Sequence, residues 1–266
     1  MDNMEINKTT TTPDNVLKLD LSTVKALQIG YHAETIFVKT SEENEMILEE
    51  YIGYTAYEYL AKVNANRFKT TIRYGRRESV NTKSYVVITL PKSWHGELML
   101  YTQYGHISSK DTLILERLAA ETSEGSITLS EVKAPRIRLV SSCNCILLEK
   151  AEGFADIHTT SGAIAAYEID GGAKLETSTG IIDASFEHLS NVLECSTLSG
   201  DIQLTLPKAG GMNVDGITKT GEVSSELEGI SVKIKPGNVK NVYGTIGEKP
   251  FQNVKINTIN GSISIQ

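Results

Sequence analysis

A six-residue phrase, Thr-x-x-Gly-x-Ile, recurs through the second half of the chain, and its spacing restricts the fold more than any other feature. It stands at Thr102–Ile107, Thr122–Ile127, Ser141–Ile146, Thr159–Ile164, Thr177–Ile182, Thr197–Ile202, Thr218–Val223 and Thr258–Ile263. The central position holds Gly105, Gly125, Asn144, Gly162, Gly180, Gly200, Gly221 and Gly261, at intervals of 20, 19, 18, 18, 20, 21 and 40 residues. A period near 19 is too short for a strand-helix-strand crossover. It suits one coil of a β-solenoid, in which each coil stacks on its neighbour and cannot bury its apolar face alone. The last interval is two periods, so one degenerate rung or a loop is expected within Glu222–Pro250.

The flanking columns give the geometry. Two residues after the central position, all eight coils carry Ile or Val. Seven before it stand Leu98, Leu118, Ile137, Ala155, Ala173, Leu193, Val214 and Val254. Apolar and polar residues alternate along each arm, which is the period of a strand with one buried face. The Thr-x-x-Gly segment interrupts the two arms. Because Gly and Asn tolerate positive φ, a sharp corner of that kind is expected there. The Thr column shares the parity of the buried face, and its hydroxyls are expected to satisfy backbone groups of the corner, rung on rung. Six residues before the central position, Arg138, Asp156, Lys174 and Glu194 alternate in sign on consecutive coils, as in-register stacking requires. The fold class is therefore all-β: a single parallel β-solenoid, expected to be right-handed, with coils of 18–21 residues.

Three divisions are expected: a disordered leader over residues 1–15, a strand-rich segment and cap over 16–97, and solenoid repeats over 98–266. The middle segment lacks the phrase but reads as seven short strands, at Val16–Leu21, Ala26–Ile29, Thr35–Lys39, Glu45–Tyr51, Tyr57–Val63, Arg67–Tyr74 and Tyr85–Leu90. The sequence ends on Ser262–Gln266 within the last recognisable arm, so the expected C-terminal edge is either covered by the Glu222–Pro250 segment acting as a lid or an open strand that pairs with a partner, self-association being the simplest form and the favoured expectation.

The tandem coils TTSGAI, TSTGII and TLSGDI, closed by NGSISI, resemble the bacterial putative-adhesin β-helix family, over roughly Lys25 to Gln266. The resemblance implies a β-helix of unknown biochemical function and carries no established catalytic residues.

Charge and composition narrow the function. A net charge of −7 lacks the basic surface that nucleic acid requires. No stretch is long and apolar enough to span a bilayer. No secretory signal is visible, which points to the cytoplasm, or to the cell surface if a signal has been removed. Cys143, Cys145 and Cys195 form neither a disulfide framework nor a metal-ligand spacing, and no cofactor fingerprint occurs. Two sets of residues are candidates for a ligand surface. Asp183, Asp201 and Glu222 follow corner positions on successive coils, where paired carboxylates would serve hydrolysis or hold a cation. Tyr51, Tyr57, Arg73, Arg76 and Arg77 belong to a Tyr- and Arg-rich third, a composition typical of interfaces and sugar platforms. The leading expectation is a non-enzymatic interaction or adhesion-like module for an unknown protein or glycan. A carbohydrate-active β-helix and a scaffold polymerising end to end are the alternatives.

Overall fold

The computed structural model describes residues 12–77, 83–237, 239–247 and 251–266, and every regular element among them is a β-strand. Each coil contributes one strand to each of two faces. The first arm leads into the Thr-x-x-Gly corner and the second arm leaves it.

The N-terminal strands are β1 (Asn15–Asp20), β2 (Ala26–Gly30), β3 (Thr35–Ser41), β4 (Glu45–Tyr51), β5 (Lys62–Ala65), β6 (Lys69–Arg73), β7 (Tyr85–Pro91), β8 (Glu97–Thr102) and β9 (Ile107–Ile114). The expected leader straddles two conditions. Residues 1–11 lie outside the described residues, but Asn15 already belongs to β1, and the Asp14 carboxylate accepts the amides of Ile52 and Gly53 at 2.8 and 2.7 Å. The strand expected at Tyr57–Val63 is shorter and later, at β5, because residues 56–59 form a turn closed by the Tyr59 amide on the Ala56 carbonyl.

The central strands are β10 (Arg117–Thr122), β11 (Ile127–Ser141), β12 (Ile146–Thr159), β13 (Ile164–Thr179) and β14 (Ile182–Ser199). The last four are long because each runs from the second arm of one coil into the first arm of the next. Within β12 and β13 respectively, Gly153 (φ 126°) and Gly171 (φ 152°) adopt backbone that L side chains rarely take. The C-terminal strands are β15 (Ile202–Thr205), β16 (Met212–Thr218), β17 (Val223–Ser225), β18 (Ile230–Ile234), β19 (Lys240–Ile246), β20 (Gln252–Asn260) and β21 (Ile263–Ile265).

Pairing is parallel along the body; the register shifts where the second arm of a coil passes into the next, as between Lys133 and Arg136, but within each arm the apolar columns stack as ladders. Leu118, Ile137, Ala155, Ala173, Leu193 and Val254 succeed one another on the first arm, and Ile107, Ile127, Ile146, Ile164, Ile182, Ile202 and Ile263 on the second. All of them are buried in one continuous core.

Spatial order departs from chain order at both ends. The coil β2–β3 lies between β6–β7 and β8–β9, paired in parallel on both sides. At the other end β20 lies between β14 and β16, and β21 between β15 and β17. The expected open edge at Ser262–Gln266 is therefore overturned. The final strand is an interior strand, paired with β15 on one side and β17 on the other. The segment expected to hold a degenerate rung supplies β17 and the antiparallel hairpin β18–β19, which extends the first-arm sheet beyond β16. At the N-terminal end the antiparallel strands β4 and β1 extend the second-arm sheet beyond β7, and β5 extends the first-arm sheet beyond β6.

Candidate functional site

The corner ladder comes first because it settles which residues are structural. Each Thr or Ser hydroxyl donates to the corner carbonyl of the adjacent coil: Thr122 to Gly105 at 3.0 Å, Ser141 to Gly125 at 2.9 Å, Thr177 to Gly162 at 3.0 Å, Thr258 to Gly200 at 3.1 Å and Thr218 to Gly261 at 2.7 Å. Several also accept the amide three residues on, as at Gly125, Asn144 and Gly221. The hydroxyl column is buried and satisfied, as the parity of the sequence implies.

The glycines serve a different purpose from the one expected. None of the corner glycines has a positive φ. A Cβ on Gly125 would lie 1.7 Å from the Gly105 carbonyl oxygen, and one on Gly200 1.8 Å from that of Gly180. Glycine is required there by the closeness of the next coil. Asn144 breaks the column beside Ser141, and its amide side chain donates to the Glu124 carbonyl at 2.5 Å.

The three carboxylates from the second arm do not converge. The Tyr167 hydroxyl donates to Asp183 at 2.8 Å, and the Ser262 amide to Asp201 at 2.7 Å. Glu222 pairs with Lys240. The interposed coil of β20–β21 puts Ser262 between Asp201 and Glu222, so those two stand about 10 Å apart, two strand spacings. No group of three His, Cys, Asp or Glu among the described residues could hold a metal ion.

The Tyr- and Arg-rich set divides by burial. Arg77 lies in the cap interior, ion-paired to Glu34 at 2.5 Å and facing Glu50 at 3.7 Å. Glu50 also accepts the Tyr31 hydroxyl at 3.1 Å, the Ala61 amide at 2.8 Å and the Asn15 side chain at 2.7 Å. Burial and the neighbouring Glu50 charge push the Tyr31 hydroxyl well above its ordinary range. This is a structural cluster that ties residues 15, 31, 34, 50, 61 and 77 into one cap.

The remaining members are at the surface. Arg73 is exposed at the end of β6, and Arg76 is exposed with its amide on the Glu58 carbonyl. Tyr57 is 77% exposed, with the Lys62 ammonium 3.1 Å above its ring. Tyr51 stacks on Tyr85, ring centroids 4.4 Å apart, and Phe37 meets Tyr85 edge-on at 5.9 Å. These three rings stand half-buried on the outer side of three adjacent strands, β4, β7 and β3. Partial burial, and Glu49 beside both hydroxyls, raise Tyr51 and Tyr85 above the ordinary tyrosine range.

Two hollows escaped the sequence reading. One of about 580 Å³ is lined by Asp20, Lys25, Trp94, His95, Glu97 and Glu116, and one of about 430 Å³ by Thr40, Trp94, Lys110, Asp111 and Ile114. Trp94 separates them, its indole N–H donating to the Val24 carbonyl at 2.7 Å. A single Trp is a weak sequence signal, and its role follows only from β2–β3 packing against β8–β9, which chain order does not reveal.

The family model described as Toastrack DUF4097 matches residues 24–266. Among solved structures, a putative adhesin from Bacteroides fragilis aligns with a TM-score of 0.55 at 10% identity, covering 95% of this chain and 96% of that one. A putative adhesin from Parabacteroides distasonis aligns at 0.46 and 11% identity, covering 95% and 96%. A putative cell adhesion protein from Clostridium sporogenes aligns at 0.34 and 10% identity, covering 94% and 97%. At such identity the Bacteroides likeness shows the fold alone. No curated protein matches the chain.

Proposed function

The chain belongs to the Toastrack DUF4097 family, and from that premise we propose that it is a non-enzymatic, adhesion-like interaction module. The observation that carries this reading is the outward aromatic group of Tyr51, Tyr85 and Phe37, held on three hydrogen-bonded strands. Aromatic side chains fixed on a rigid sheet offer large contact area at little cost in conformational entropy, which suits recognition of a protein or glycan. The outward charges of the body support the same reading, because they are engaged coil to coil. Arg138 pairs with Asp156, Lys150 with Glu168 and Glu194 with Lys255.

A second reading, carbohydrate binding in the hollows beside Trp94, is favoured by their volume and by their mixture of one indole with hydrogen-bonding side chains. An immobilised panel of uronate-rich and neutral polysaccharides separates the two. Binding lost in Tyr51→Ala/Tyr85→Ala but retained in Asp111→Ala/Glu116→Ala supports the aromatic surface; the reverse pattern transfers the site to the hollows. Polysaccharide cleavage abolished by Asp201→Asn would overturn the non-enzymatic reading.

A further inference from the structure

β18 is the outermost strand of the first-arm sheet at the C-terminal end. Among the described residues it pairs with β19 alone, and of its five residues Ile230 is half-buried against the core while residues 231–234 are exposed. Val232 is 46% and Ile234 66% exposed, although Val242, the direct cross-strand neighbour of Val232, is fully buried. The hairpin thus carries an apolar row past the point where the second-arm sheet ends at β17.

The turn fixes which backbone groups are free. The Lys235 amide donates to the Val239 carbonyl at 2.7 Å. In an antiparallel pair, alternate residues turn both N–H and C=O to the same side. Ser231, Lys233 and Lys235 therefore turn theirs toward β19, while Ile230, Val232 and Ile234 turn theirs outward. The residues with free backbone groups are the three apolar ones.

We propose that β18 is a two-fold dimerisation edge, and that its occupant is β18 of a second copy, antiparallel and centred on Val232. In that register Ile230 faces Ile234 of the second copy, Val232 faces Val232, and Ile234 faces Ile230. All three are hydrogen-bonded pairs, and every apolar side chain meets an apolar one. Charge selects the same orientation. Exposed Glu226 and Glu228 precede the strand, while exposed Lys233 and Lys235 lie within and just after it. Antiparallel pairing lays the acidic flank of each copy beside the basic flank of the other, whereas parallel pairing would set like charges together. The contact is isologous and closes at two copies, so it does not propagate into filaments.

Sedimentation velocity over a concentration series tests this on the full chain. The unaltered protein is expected to pass from monomer to dimer and no further. Val232→Pro removes an outward amide and leaves the β19 ladder its partners, and it should raise the dimer dissociation constant about tenfold or more. The charge variants remain informative even if that proline perturbs the hairpin. Lys233→Glu/Lys235→Glu and Glu226→Lys/Glu228→Lys should each be monomeric alone and form a one-to-one dimer when mixed. A protein monomeric at every concentration, growth beyond the dimer, or charge variants that dimerise alone as well as the unaltered chain would overturn the proposal.

Discussion

At the residue scale, the corner shows how one residue type can be required for a reason the sequence does not display. A recurring Gly invites a turn explanation, yet none of the corner glycines has a positive φ and the constraint is the carbonyl of the neighbouring coil, 1.7–2.3 Å from where a Cβ would stand at Gly125, Gly162, Gly180, Gly200, Gly221 and Gly261. Sequence periodicity locates such a glycine, but only stacking distance explains it. Gly200→Ala should therefore force the coils apart and cost several kcal/mol, read as a shift of the denaturant midpoint. An unchanged midpoint would mean that the corner spacing can relax. His106 gives a pH-dependent counterpart. Its Nδ1 accepts the Ser126 amide at 2.9 Å and lies 2.8 Å from the Ser126 hydroxyl oxygen, and burial holds its pKa below the ordinary histidine value. The unfolded chain then binds the proton more readily than the folded one, so stability should fall as the pH drops below about 6.5. His106→Gln should flatten that part of the stability–pH curve, and an unaltered slope would assign it to other groups.

At the scale of the element, outward charge makes the swapped coil order visible after the fact. In chain order the column reads Arg138, Asp156, Lys174, Glu194, Asp215, Lys255, and alternation fails where Glu194 meets Asp215. In space, Glu194 neighbours Lys255 and Lys255 neighbours Asp215, so the alternation runs unbroken over all six. Strand positions and buried columns were legible because a two-residue period depends on local sequence alone. Coil order was not, since neighbouring coils present nearly interchangeable ladders of Ile, Leu and Thr, and only long-range pairing distinguishes them. The same limitation concealed the Trp94 hollows and set Glu222 wrongly beside Asp201. Lys255→Glu would set three carboxylates in a row, the new one between Glu194 and Asp215. Each exposed like-charge neighbour should cost roughly 0.2–1 kcal/mol at low salt, with the deficit shrinking as ionic strength rises. Adding Asp215→Lys should recover part of the loss, which it would not do if Asp215 were not adjacent to position 255.

For the whole molecule, the swaps at the two ends change what kind of repeat protein this is. An ordinary solenoid gives up its last coil at the cost of a single interface, because each repeat contacts only its sequence neighbours. Here the last coil of the sequence lies one place in from the end. Among the described residues, β16 pairs with β19 and β20, β17 with β21, and β18 with β19. Strands β16–β19 are thus joined to the sheets of the body through β20 and β21. The N-terminal end repeats the arrangement, with β6 and β7 reaching the body through β2 and β3. A chain ended after residue 251 should accordingly lose far more than one coil. Hydrogen exchange should show residues 212–247 unprotected and β14–β15 frayed along the side that β20 and β21 now cover, while β9–β13 keep their protection. If residues 212–247 stayed protected, they would have to pair directly with β14 and β15, and the inserted coil would not be what fastens the end of the solenoid.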